Sequence, residues 1–281
     1  MKISVNTDSG VPNFTDKEGS IAFLEKFRVG PHYPFVRELM KRGIYTDILE
    51  EADVVVNIDS IYNAGIKKGK KLTIYWEVDE FMMCGKNPQF YDQADIIYIN
   101  MSEYLSYYPP GTKVLKMAVD PEEIREYPVV KDFDYVFIGS IEPLPVYRER
   151  LLLLDKILKL SMHIGKKVLV SHGLGEEYPK LLSRGKVILD FLPMVPESGN
   201  VCIHQKLYEA MAVGCVMMNH HPFLDKLFQK DVHYVTLDKF GLITDEEIQR
   251  VKEASRKLIL EKHTWKHRVD QLLEDIYEKL S

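Results

Sequence analysis

The chain has 281 residues, more than one hydrophobic core usually organises, which predicts two compact domains. Hydrophobic residues make up 46% and charged residues 28%, a globular composition that excludes a disordered chain, and no apolar run is long enough to span a bilayer. The net charge of −5 removes any global attraction to nucleic acid or an anionic membrane.

The N-terminus enters a short strand, Lys2–Val5, without a signal-peptide pattern, so a cytoplasmic location is expected. Phe35, Val36, Leu39 and Met40 have helical spacing, and Gly43 follows as a stop. Asp53–Ile58, Leu72–Trp76 and Asp95–Ile99 are short, nearly continuous apolar runs, as in parallel strands buried on both faces. The basic stretch Lys67–Lys71 reads as a solvated turn before one of them. A proline-bearing stretch at Tyr127–Lys131 places the domain boundary, giving domains over 1–127 and 128–262 and a tail over 263–281.

The second half restarts the alternation. Strands are expected at Tyr135–Ile138, Lys167–Val170, Val187–Phe191 and Cys215–Met218, and helices at Tyr147–Leu160, Glu176–Leu182 and Gln205–Val213. Two consecutive α/β units of this kind imply two facing Rossmann-like halves. Val269, Leu272, Leu273, Ile276, Tyr277 and Leu280 mark a terminal amphipathic helix, with Thr264 as a cap candidate, that covers the second domain or crosses back to the first. Cys84, Cys202 and Cys215 match no zinc or redox spacing and read as reduced.

Four segments could carry chemistry. Gly139-Ser140 ends a strand where ligands approach open α/β sheets, and Arg148 and Arg150 follow at a helix start, suited to a diphosphate; the alternative is a tight turn with two solvated arginines. Ser171-His172-Gly173-Leu174-Gly175 again links strand to helix, so Gly173 could admit a base or ribose and His172 contact a phosphate, against a structural histidine. In the third, a polar loop containing Asn200 and His204 runs into a helix with Lys206, Tyr208 and Glu209; its N-terminus and Lys206 suit phosphate, and Glu209 suits ribose hydroxyls, against an ordinary amphipathic helix. The fourth is Trp76-Glu77-Val78-Asp79-Glu80, whose acids would bind acceptor hydroxyls, act as a base, hold magnesium or form a solvated loop. Asp8, Ser9 and Gly10 occupy the equivalent first turn.

In this order the segments resemble the group 1 glycosyltransferases, especially the branch typified by the spore-maturation protein CgeB. The likeness rests on Tyr75–Asp79, on Tyr135–Ser140 with Arg148, on Lys206–Gly214 (K-L-Y-E-A-M-A-V-G) and on His263–Arg268 (H-T-W-K-H-R). It implies a GT-B fold, with the nucleotide-sugar donor in the C-terminal domain and the acceptor on the N-terminal one. It implies that Gly139, Ser140, Arg148, His172, Gly173, Asn200, His204, Lys206, Tyr208 and Glu209 bind the donor, Glu209 at the ribose and Lys206 at phosphate. Asp8, Ser9, Gly10, Trp76, Glu77 and Asp79 would bind the acceptor, with Asp79, Glu77 and Lys206 catalytic. No metal or further cofactor is implied, and configuration would be retained. The acceptor is left open among glycan, protein, small molecule and nucleic acid. Many members carry a second glutamate eight positions before the ribose acid; here Val201 stands there. An epimerase or hydrolase on the same architecture, a non-catalytic nucleotide-sugar binder and a DNA-base glycosyltransferase are the rival readings.

Overall fold

The computed structural model describes residues 1–7, 32–59, 66–78, 85, 88–173, 176–195 and 198–281. The chain divides into two compact units, Met1–Met117 with Trp265–Ser281, and Ala118–Thr264. The stretch Tyr127–Lys131 lies in the second. Val119 bridges Thr264, so the chain's entry into this unit and its exit run side by side.

The first unit holds a parallel sheet ordered β1 (Ile3–Thr7), β2 (Val54–Asp59), β3 (Leu72–Glu77), β4 (Ile96–Ile99), β5 (Lys113–Val114). Its central strands are apolar along their length because helices cover both faces of such sheets, and every residue of β3 is buried. Helix α1 (His32–Lys41) turns Phe35, Val36 and Leu39 inward; α2 (Pro88–Tyr91) is a single turn. Among the described side chains of β2 the buried polar one is Asn57, and its amide is fully used. Its Oδ1 accepts from Asn6 and the Lys67 N–H, both at 2.8 Å, and its Nδ2 donates to the carbonyls of Lys67 and Ile74 at 3.0 Å.

This anchor fixes the turn that carries the basic stretch. Lys67, Lys68, Lys70 and Lys71 are exposed, and Lys71 pairs with Asp53 at 3.1 Å. Gly69 is held against main chain. A Cβ there would lie 2.2 Å from the Leu72 carbonyl oxygen, 2.8 Å from the Val55 nitrogen and 2.9 Å from the Asp53 oxygen. None of these can retreat without opening the β2–β3 ladder. Gly69→Ala is expected to destabilise the protein by about 1–3 kcal/mol, read as a lower midpoint in thermal unfolding; an unchanged midpoint would show that the turn yields freely.

The second unit holds a parallel sheet ordered β10 (Val235–Thr236), β9 (Cys215–Met218), β8 (Gly185–Asp190), β6 (Phe133–Ile138), β7 (Val168–Ser171). Helices α3 (Arg148–Ile164), α4 (Glu177–Ser183), α5 (Gln205–Val213) and α6 (Asp245–Lys262) connect and follow these strands. The core is built from Tyr135, Phe137, Leu189, Phe191, Met217 and their neighbours, with Tyr135 stacked on Phe240 at 4.2 Å. From β6 the chain goes to β7 on one side and then to β8 on the other. The strand order therefore reverses between β6 and β8, and a crevice opens at the carboxyl ends of that pair.

Helix α7 (Trp265–Leu280) belongs to the first unit. Arg268 donates to the carbonyls of Lys116 and Met117 at 2.8 and 3.2 Å, and Trp265 packs edge-on against Phe35 and Trp76, each at 6.0 Å. Among the described residues no helix is long and apolar enough to cross a membrane. Cys202 and Cys215 are buried free thiols, and burial pushes Cys215 up to about 12; Cys84 lies outside the described residues.

Candidate functional site

The reversal point of the second sheet gathers charge. Asp190 ends β8 and Gly139-Ser140 follow β6. Arg150 reaches in from the first turn of α3, and His204, Gln205, Lys206 and Glu209 come from the front of α5.

Arg150 is 5% exposed and ties the two strand ends together. Its Nε and Nη2 donate to the Phe191 carbonyl at 3.3 and 3.0 Å, and its Nη1 donates to the Ser140 carbonyl at 3.3 Å. Its guanidinium lies over the Tyr147 ring at 4.4 Å and the Phe137 ring at 5.7 Å. Arg148 is exposed at the first position of the same helix. The buried stripe of α3 is Arg150, Leu154, Ile157 and Ser161, so helical phase turns Arg150 inward and Arg148 outward.

The Gly139 N–H donates to the Ser171 carbonyl at 3.0 Å, so this residue offers space and not a free donor. A Cβ on it would meet the Phe137 ring at 3.0 Å and the Lys206 Nζ at 3.6 Å. The Lys206 ammonium thus lies beside the glycine turn. Tyr178 of α4 presents its ring 6.0 Å away. Among the described residues no carboxylate lies within 4.0 Å of that ammonium. Burial, followed by the repulsion of Arg150, holds Lys206 below its ordinary value despite Glu209 and Asp190 nearby.

The two acids differ. Asp190 accepts the Phe191 N–H at 3.0 Å and lies 3.1 Å from the His204 Nε2. Burial acts to raise it, but His204, Arg150 and Lys206 together hold it below the usual carboxylate range. Glu209 accepts from the Gln205 amide at 2.6 Å and interacts with the Tyr178 hydroxyl, yet burial dominates and raises it. No side chain caps α5, since His204 spends its ring on Asp190. Among the described residues no side chain therefore accepts from the first-turn N–H groups of α5, and these groups and the dipole remain for a ligand.

The sequence candidates are distributed as follows. Gly139, Ser140, Lys206, Glu209 and His204 come together at this edge. Tyr208 is 1% exposed and lies in the core, 5.6 Å from Phe228 and 5.3 Å from His263. His172 is exposed on the loop after β7, with Gly173 half-buried against α4. Asn200 is half-buried in the turn that precedes α5, where its N–H donates to the Ser198 hydroxyl at 3.2 Å. Val201 is buried and bridges Met194. In the first unit Trp76 is fully buried in the aromatic cluster, and Glu77, also buried, accepts from the Tyr91 hydroxyl at 3.0 Å. Asp8, Ser9, Gly10, Asp79, Glu80, Leu174, Gly175 and Glu197 lie outside the described residues. Among the described residues no group of three His, Cys, Asp or Glu side chains could hold a metal ion.

Asp190, Tyr178 and Gln205 join the site without being among the residues that the sequence motifs single out. Asp190 did carry a signal, an acid ending an apolar run at the sheet edge where ligands bind. Tyr178 gains its place only through folding onto Glu209, whereas Gln205 stands four residues before Glu209 on the same helix face, a spacing the sequence shows.

No curated protein matches the chain. Solved structures match its fold. They include sucrose-phosphate synthase from Thermosynechococcus elongatus (10% identity, 81% of this chain and 73% of that one, TM-score 0.57). A glycosyltransferase from Rickettsia africae ESF-5 matches end to end (9% identity, 99% and 98%, TM-score 0.54). The DNA-modifying enzyme β-glucosyltransferase does so too (12% identity, 100% and 99%, TM-score 0.53). In sequence, the family described as glycosyl transferase-like matches residues 132–274, slightly more than half of the chain and including the whole cluster around Lys206. The chain therefore belongs to the glycosyl transferase-like family and is a glycosyltransferase of GT-B fold.

Proposed function

We propose that this glycosyltransferase takes its sugar from a nucleoside-diphosphate donor held by the second unit, and that Lys206 and Arg150 stabilise the departing diphosphate. The observation that carries this is the Lys206 ammonium, half-buried beside Gly139 at the front of a helix without a side-chain cap, with no carboxylate in ion-pair contact among the described residues. A partly desolvated cation without a directly paired anion is costly alone and pre-organised for one. The oxygen of an acceptor hydroxyl bonds to the anomeric carbon, the bond from that carbon to the phosphate oxygen breaks with its electron pair leaving on the diphosphate, and the hydroxyl proton passes to the departing phosphate oxygen. Negative charge grows there, where the two cations and the α5 dipole act.

In this reading no metal is required, because the chain's own cations meet the leaving group. Glu209 accepts hydroxyls of the donor ribose, and retention of configuration follows the CgeB-like branch, to which we assign the chain on Lys206–Gly214 and His263–Arg268. With valine at 201, sugar positioning falls to other groups.

A thermal-shift panel of UDP-, GDP-, TDP- and CDP-sugars tests the proposal, since a ligand that binds only the native state raises its midpoint. One nucleotide should stabilise selectively. Glu209→Ala should weaken that ligand about ten- to hundredfold, as expected for a lost hydrogen bond to a charged group. An unchanged shift in folded Glu209→Ala would remove the residue from the site. Donor turnover without any acceptor would point to a hydrolase or epimerase. Binding with no product across acceptors would point to a non-catalytic binder.

A further inference from the structure

Gln205 is the first residue of α5 and sits one turn before Glu209, on the same face. Its Nε2 donates to the Glu209 Oε1 at 2.6 Å. A carboxylate accepts and does not donate, so it fixes the amide nitrogen toward itself and the amide oxygen away. That oxygen, Gln205 Oε1, is buried and has no hydrogen-bond partner among the described residues. A buried acceptor without a donor is disfavoured and calls for one from a ligand. Phosphate oxygens cannot supply it, because they too are acceptors; a hydroxyl can.

We infer that Gln205 reads a second hydroxyl of the donor ribose beside Glu209, so that the site takes ribonucleoside diphosphates and discriminates against their deoxy counterparts. This rests on the donor reading above. A vicinal diol carries two O–H donors at fixed spacing. Glu209 already accepts from Gln205 and Tyr178, which leaves about two of the four acceptor positions of its carboxylate for the diol. The Gln205 oxygen, buried and without a donor among the described residues, takes the hydroxyl on its side. Lys206, next in the chain, lies beside Gly139 and serves the phosphates. The front of α5 is thereby divided between an anion and a diol. Removing either hydroxyl from the ligand strands a buried acceptor, the situation in which sites reject an analogue most strongly.

The test is calorimetric titration of the full chain with UDP, GDP, CDP and ADP and with the 2′-deoxy and 3′-deoxy form of each. The wild type should bind its preferred ribonucleotide about tenfold tighter, or more, than either deoxy form. Gln205→Leu should abolish one of these two preferences and keep the other, which belongs to Glu209. Gln205→Met, of similar length, serves the same purpose should the leucine variant fail to fold. Equal binding of ribo and deoxy forms by the wild type would overturn the inference and leave the donor reading standing. So would a Gln205 variant that keeps both preferences, or one that loses both and so acts only by orienting Glu209. Failure of every diphosphate to bind would remove the donor reading and this inference together.

Discussion

Lys206→Met is expected to weaken nucleoside-diphosphate binding about ten- to hundredfold, the range for a charge-assisted contact, while leaving the protein folded. Methionine keeps the apolar stem and removes only the ammonium. The ligand-free variant should be more stable than the wild type near neutral pH, which a merely supportive lysine would not give. The sign follows from linkage. The folded-state value of Lys206 is lowered, first by burial and then by Arg150, so the unfolded chain binds this proton more tightly. The charged lysine therefore opposes folding below its folded-state value, and the opposition fades as pH rises toward 10.5. The advantage of Lys206→Met should shrink over that window. Wild-type affinity for the diphosphate should fall over the same rise in pH, and the variant should lose that dependence. Chemical denaturation and calorimetry at several pH values read both. A variant less stable than the wild type throughout would contradict the unpaired cation.

Trp265→Ala is expected to destabilise the first unit by about 3–5 kcal/mol, the cost of deleting a large buried aromatic. Trp265 is 2% exposed and meets Phe35 and Trp76 edge-on, with Phe35 also 5.7 Å from Trp76. It opens α7, so its loss loosens the attachment of the terminal helix to the unit that begins the chain. Trp265→Phe should cost much less, because it keeps ring contact and removes an indole N–H that is buried without a partner among the described residues. With two compact units, unfolding need not be two-state, and the loss should appear in one transition. Equal stability of the alanine and phenylalanine variants would contradict this packing.

Much of the fold is legible from apolar runs. Cys215–Met218 and Gln205–Val213 have the expected bounds, and the runs at 53–58, 72–76, 95–99, 135–138, 167–170 and 187–191 all become strands with ends shifted by one or two residues. Such runs report burial on both faces directly. Helix α3 extends one turn past the expected Leu160, to Ile164. Helix α6 was not anticipated at all. Its inward positions, Val251, Ser255 and Ile259, are sparse and partly polar, so the amphipathic signal is weak. Its start was nonetheless written in Thr244 and Glu247: the Thr244 hydroxyl accepts the Glu247 N–H at 3.2 Å.

The site is legible in part, for physical reasons. The helix N-terminus with Lys206 and Glu209 is a local pattern, and the fold brings it to the glycine turn 67 residues earlier. The choice between Arg148 and Arg150 was available from helical phase, since Arg150 continues the stripe of Leu154, Ile157 and Ser161. The pairing of Asp190 with His204 and of Tyr178 with Glu209 was not, because each joins elements whose contact exists only in the folded sheet.

A diphosphate seated beside Gly139 and Lys206 is tested most directly by a crystal structure with the nucleoside diphosphate that raises the thermal midpoint. Phosphate oxygens within hydrogen-bonding distance of the Lys206 Nζ, at the front of α5, are the expected result. A diphosphate bound elsewhere, for example on the exposed lysines of Lys67–Lys71, with Lys206 untouched, would contradict the account.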